Sequence, residues 1–258
     1  MPNRYNFTRR NPKTRVVENT GYMEFRNAAG GSGIELYIYG DIVSSTWDAW
    51  SPEDTCPQDI SDFMAQIDNN ADMTIYINSG GGDVFAGIAI HSILKRHVGH
   101  KKGVVDGIAA SIASVILMAC DEIVMSSGAQ IMIHKPSAMG WGNADDFAKL
   151  IDELDRCQQS IIDIYMGRVK DGVTEEEINQ KVNAETWMTG EEAQEIFDIT
   201  VEQRPAMAAC VSWMLNAYKN TPQSIQTQSI EDVAAKNAAE RDAAEEAAIL
   251  EELDLYGI

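Results

Sequence analysis

Gly107-Ile-Ala-Ala-Ser111-Ile-Ala-Ser114, followed by Ile131-Met-Ile-His134-Lys-Pro136, is the stretch on which the reading of this chain turns. Ser111 stands among small apolar residues with no charge near it, and His134 ends a short apolar run 23 positions later. Serine is a weak nucleophile at neutral pH and needs an adjacent base. Small residues ahead of it permit a close-approaching substrate and a sharp entry from strand to helix. The helix that follows would aim the N–H of Ile112 at a reacting carbonyl. By itself Ser111 reads equally as a helix N-cap or a buried helix serine. Ser114, one turn on, competes as nucleophile but has a mid-helix N–H environment. Of the other histidines, His91 fits a helix face and His97 and His100 a basic loop, all structural placements.

Outward from this stretch the pattern alternates between strand and helix. Strands are expected over 34–39, 73–78, 104–106, 122–125 and 130–134. Helices are expected over 60–67, 84–96, 111–119, 145–169 and 193–197. Thr174 and Thr189, each followed three residues later by glutamate, open helices as capping boxes. This alternation predicts an α/β fold with mostly parallel pairing. Residues 1–33, basic at first and glycine-rich later, read as an irregular lead-in. The body spans 34–203, a C-terminal helix is expected over 204–221, and 222–258 is an acidic, Ala- and Glu-rich tail, exposed or partner-dependent.

Asn78-Ser-Gly-Gly-Gly82-Asp83 follows one strand and opens a helix. Glycine permits positive φ and close backbone approach, and N–H groups at a helix start stabilise negative charge. The run lacks the Gly-Lys-Ser/Thr and Gly-x-Gly-x-x-Gly patterns of phosphate binding. It reads as a turn whose Gly81 and Gly82 could donate to an oxyanion together with Ile112. A serine–histidine pair also gains from a carboxylate that orients the imidazole. Asp145, Asp146, Glu185 and Asp198 are available. Glu185, in Asn183-Ala-Glu-Thr-Trp187-Met188, lies between two helices beside large apolar residues.

The 258 residues carry 20 Lys+Arg against 40 Asp+Glu, a net charge of −20. Such a chain repels nucleic acid and anionic membranes, so neither is an expected partner. The longest apolar run, 108–120, is too short to span a bilayer. The scattered Cys56, Cys120, Cys157 and Cys210 form no Cys-x-x-Cys pair, and neither metal nor cofactor is expected. With no apolar signal core at the N-terminus, a cytoplasmic location follows.

Three motifs together resemble the proteolytic subunit of the Clp protease family, across roughly 34–202. Asn78-Ser-Gly-Gly81-Gly82 looks like its Asn-Ser-Pro-Gly-Gly. Gly107-Ile-Ala-Ala-Ser111 matches its nucleophile motif, and Met132-Ile-His134-Lys-Pro136 its base motif. The resemblance implies a ClpP/crotonase-type fold of repeated β-β-α units in a superhelix, with 145–169 as a protruding handle helix. It implies a serine endopeptidase with Ser111, His134 and, by alignment on Trp187-Met188, Glu185 where the family usually has aspartate. Gly80 replaces the family's proline and should loosen the turn that supplies the oxyanion donors. Gly140, Trp141 and Gly142 would carry the edge strand that pairs with an extended substrate. The Glu-Thr-Trp-Met form, the extra N-terminus and the charged tail look more like the phage and prophage branch. That branch implies capsid maturation, with capsid, portal or scaffold proteins as partners. The family also implies a sevenfold homo-oligomeric ring that can stack in pairs. Two other classes compete: a crotonase-type acyl-CoA hydratase or hydrolase, and a non-catalytic assembly or scaffold ring. The first normally relies on acidic pocket residues, and retention of serine, histidine and carboxylate argues against the second.

Overall fold

The computed structural model describes residues 34–49, 54–203, 212–222 and 225, together with the backbone of 4–10 and 17–24. The chain divides into one unit, Met1–Asn220, and a second, Thr221–Ile258. Apart from Thr221, Pro222 and Ile225 the acidic tail lies outside the described residues.

A hairpin opens the first unit. Strand β1 (Arg4–Arg10) pairs antiparallel with β2 (Val17–Glu24), from Arg4↔Glu24 to Arg10↔Val17, with a bulge between Phe7 and Thr8. This corrects the irregular lead-in expected there. The segment has no apolar alternation and no Asn-Gly or Asp-Gly turn to mark a hairpin. Its pairing rests on residues of high β propensity such as Tyr5, Phe7, Thr8, Val17 and Tyr22.

The body alternates β3 (Ile34–Ile42), α1 (Pro57–Met64), β4 (Met73–Gly82), α2 (Val84–Lys95), β5 (Lys101–Ala110), α3 (Ile112–Leu117), β6 (Glu122–Ser126) and β7 (Gln130–Ile133). Then follow α4 (Ala144–Met166), α5 (Glu175–Asn183), β8 (Thr186–Thr189), α6 (Gly190–Ile196) and β9 (Thr200–Glu202). Five strands run parallel in the order β3-β4-β5-β6-β9. The expected α/β architecture with a mostly parallel sheet is what forms. Leu36 and Ile38 of β3, Ile75 and Ile77 of β4 and Val105 of β5 are fully buried. They meet Ile60 and Phe63 of α1 and Ile90 and Leu94 of α2 in one core. Burying each such side chain contributes on the order of 1.5–3 kcal/mol.

Element ends differ from expectation where backbone chemistry outweighs apolar pattern. Helix α1 starts at Pro57, ahead of its first apolar residue, because proline suits the first helical position and Cys56 and Asp59 form a capping box. Strand β4 runs through the glycines expected to turn: Asp41↔Gly81 and Ile42↔Gly82 still pair. Thr174 caps α5 by accepting the Glu177 N–H, while the two-way box forms at Thr189 and Glu192. In α4 only Ile161, Ile162 and Tyr165, near the C-terminal end, are buried, so the rest of the helix stands out from the body. The helix expected over 204–221 is, within its described residues, a single 3-10 turn, Trp213–Asn216.

Candidate active site

The site forms where β5 changes partner. Its first part pairs with β6 up to Val105↔Met125, and its last part pairs with β7 from Ile108↔Gln130 to Ala110↔Met132. That switch sets β7 beside the end of β5, and Ser111 N–H donates to the Met132 carbonyl at 2.9 Å. Strand β8 runs antiparallel to β7 with Ile133↔Thr186, so one further step of the register sets Glu185 across from His134. Three residues distant in sequence thus meet at one strand edge.

Ser111 Oγ lies 2.7 Å from His134 Nε2. Ser111 takes φ 55°, ψ −127° at the N-cap of α3. Glu185 takes φ 52°, and these are the two non-glycine residues with positive φ among the described residues. Such conformations cost on the order of 1–3 kcal/mol each and cluster at functional sites. At Ser111 the strain aims the side chain out of the buried strand–helix junction and toward the imidazole. Ser114 is excluded as a rival nucleophile: its fully buried hydroxyl donates to the Ser111 carbonyl at 2.5 Å and bonds Tyr165 Oη at 2.7 Å.

The glycine strand lies against the serine. A Cβ on Gly81 (φ +97°) would fall 2.7 Å from Ser111 Cβ, 2.7 Å from the Ala110 carbonyl oxygen and 3.3 Å from the Ile112 nitrogen. The backbones of Gly81 and Ile112 therefore face one small space beside the nucleophile. Gly81 N–H donates to Ser79 Oγ at 3.1 Å. Gly82 (φ +146°) presses instead on β3, where a Cβ would meet the Ile42 carbonyl at 2.0 Å.

Burial holds the His134 imidazole below its ordinary pKa of 6.5, and the Glu185 charge partly opposes that shift. Among the described residues no hydrogen bond joins the two. Glu185 Oε1 accepts the Asn220 N–H at 2.6 Å, and the Asn220 amide donates to the carbonyls of Ala184 and Glu185. The His134 ring packs edge-to-face on Tyr218 at 5.0 Å. Sequence reading missed Tyr218 and Asn220. Their only signal was an aromatic and an amide in a segment read as plain helix.

The remaining expected positions lie elsewhere. Gly140, Trp141 and Gly142 form no strand; Gly140 and Trp141, with Met139, line a groove against Asp146, Phe147 and Leu150 at the start of α4. A strand needs a ladder partner, and the described chain offers none there. Asp145 and Asp146 lie in the first turn of α4, where their N–H groups donate to the Asn143 side chain that caps the helix and the Asp146 carboxylate accepts the Asn143 N–H. His97 is buried with Nε2 on the Ala71 carbonyl, away from the serine. Among the described residues no cluster of three His, Cys, Asp or Glu side chains could hold a metal ion, and no helix is long and apolar enough to cross a membrane.

Comparison with known proteins follows the same motifs. Residues 56–197 match the family model for Clp protease. The chain is similar to ATP-dependent Clp protease proteolytic subunit 3 of Rhodococcus jostii, at 32% identity over 135 residues, 52% of this chain and 66% of the relative. It is similar to the ATP-dependent Clp protease proteolytic subunit of Bacteroides fragilis, at 29% identity over 135 residues, 52% of this chain and 64% of the relative. Proteolytic subunit 1 of Chlamydia abortus is 34% identical over 123 residues, 46% of this chain and 63% of the relative. The chain thus spans somewhat less than two thirds of the length of these curated relatives.

Proposed function

The chain belongs to the Clp protease family, and from that premise we propose that it is a serine endopeptidase acting through Ser111, His134 and Glu185. The observation that carries the reading is the 2.7 Å contact between Ser111 Oγ and His134 Nε2 at the head of α3. Ser111 Oγ bonds to the peptide carbonyl carbon as His134 Nε2 takes its proton. The tetrahedral intermediate collapses, the C–N bond breaks, and the same proton passes to the leaving amine. Water, deprotonated by His134, then releases the acyl group and restores Ser111. The Ile112 N–H and that of Gly81 or Gly82 hold the oxyanion. Recruiting Gly81 exchanges its bond to Ser79 for one to the intermediate. Glu185 stabilises the imidazolium, a role supported by its charge, which opposes the lowering of the His134 pKa by burial.

The extended substrate adds a strand beside Gly140, Trp141 and Gly142, whose unpaired backbone is supplied with the missing ladder by the peptide. Self-association into a stacked ring is supported by exposed apolar residues at the start of the protruding helix, Phe147 and Ile151, and just before it, Trp141. Within the family, the Glu-Thr-Trp-Met sequence, the extra N-terminus and the acidic tail favour maturation of a phage capsid, with capsid, portal or scaffold proteins as partners.

A fluorophosphonate should label Ser111, and Ser111→Ala should lose both labelling and peptide cleavage. Cleavage that survives Ser111→Ala sinks the assignment. The neighbouring genes separate the finer reading: a locus with no capsid, portal or scaffold gene beside this one rejects it.

A further inference from the structure

Within residues 212–220, three side chains or N–H groups meet Gly80, His134 and Glu185. Tyr218 is 8% exposed, and its hydroxyl donates to the Gly80 carbonyl, 138 residues away in sequence, at 2.5 Å. The same ring stands edge-to-face on His134 at 5.0 Å and on Trp187 at 6.1 Å. Two residues on, Asn220 N–H holds the Glu185 carboxylate at 2.6 Å. At the other end Ser212, 6% exposed, donates to Asp41 Oδ1 and lies over Gly80. A Cβ on Gly80 would fall 2.0 Å from Ser212 Oγ and 2.6 Å from its Cβ. The position where the family carries proline is therefore filled from outside by this segment, and no residue with a side-chain carbon fits there unless the segment moves.

We propose that residues 212–220 are a brace that completes the active site, with Tyr218 as its central positioning residue. This rests on the peptidase reading above. A glycine at position 80 leaves the strand carrying the oxyanion donors with more freedom than proline would. The Tyr218 hydroxyl removes that freedom by tying the Gly80 carbonyl. The Tyr218 ring removes water from one side of His134 and fixes the plane of the imidazole. Among the described residues the imidazole has Ser111 as its hydrogen-bond partner and Tyr218 as its ring contact. Asn220 completes the arrangement by fixing the carboxylate opposite. Tyr218 touches no reacting atom; it acts through His134 and Gly80.

Two functions of one side chain separate in two variants of the full chain. Tyr218→Phe keeps the ring and drops the bond to Gly80. Tyr218→Ala removes both. The His134 titration is read by NMR, which needs no activity, and Ser111 labelling by a fluorophosphonate is followed against pH. Tyr218→Phe should label about 10-fold more slowly, with the His134 midpoint unchanged. Tyr218→Ala should label at least about 100-fold more slowly, with the His134 midpoint raised toward 6.5 as water reaches the ring. Circular dichroism establishes that each variant is folded. An unshifted His134 midpoint in folded Tyr218→Ala overturns the brace, whatever the labelling. Faster labelling of either variant also overturns it and makes the segment an inhibitory strap. Wild type that does not label while the midpoint shifts as expected discards the peptidase reading and leaves the His134 contact standing.

Discussion

Ser111 is held in a conformation that few serines adopt, and Gly81 is what makes that affordable. A Cβ at position 81 would fall 2.7 Å from Ser111 Cβ and from the Ala110 carbonyl oxygen, so only glycine fits beside the serine without a shift. Gly81→Ala should therefore lower kcat/KM at least about 100-fold, by straining φ +97° and by shifting an oxyanion donor. Near-normal kcat/KM in a folded Gly81→Ala would remove Gly81 from the site. The His134 base must be neutral to accept the serine proton. Burial places its pKa below 6.5, so the acid limb of the kcat/KM profile should lie below pH 6.5. The Glu185 charge raises that pKa, so Glu185→Gln should move the limb further toward acid and reduce kcat by roughly 10²- to 10⁴-fold. A limb that stays put would show that Glu185 does not act on the imidazole. At this scale the motifs were legible: Ser111, His134 and Gly81 could be named from their neighbours. The exchange of partners around Glu185 was not, because it depends on Asn220, 35 residues away.

Elements connect the site to the rest of the sheet. The C-terminal end of α4 reaches α3 through Tyr165 Oη, which meets Ser114 Oγ under the Ser111 carbonyl. Tyr165→Phe leaves a buried hydroxyl short of one partner and should cost about 1–2 kcal/mol of unfolding free energy in urea titration. On α2, burial first, with the Lys95 charge adding to it, pushes the His91 pKa down to about 4. The folded chain keeps His91 neutral while the unfolded chain protonates it near 6.5, so the unfolded state binds the extra proton between those values. Stability should fall as pH drops from 6.5 toward 4, and His91→Gln should flatten that part of the Tm profile. A profile unchanged by the substitution would refute the linkage. Helix and strand existence was readable from period along the body. The starts of α2 and α4 were readable to within a residue, but α1 starts at Pro57, ahead of the expected residue 60, through capping chemistry that apolar period does not reveal.

Among the described residues the least ordinary surface lies at and just before the start of α4. Met139 and Trp141, just before α4, are fully exposed, and Phe147 and Ile151 in its first turns are 45% and 59% exposed. With a net charge of −20, copies repel one another at long range, so the proposed ring would have to be held by apolar contact. Phe147→Glu with Ile151→Glu should convert a large assembly into smaller particles in sedimentation, with Ser111 labelling per copy as the accompanying measure. An assembly of undiminished size would exclude this face as its contact. The sequence by itself determined the α/β alternation, the serine and histidine and their order. Those follow from period and from residues a few positions apart. Only the tertiary structure decided that β5 changes partner, that Glu185 stands opposite His134, that Arg4–Arg10 pairs with Val17–Glu24 and that Tyr218 and Ser212 close over Gly80. Each of these is a contact between segments whose separation in sequence carries no local signal, and only the packing of the sheet brings them within ångströms.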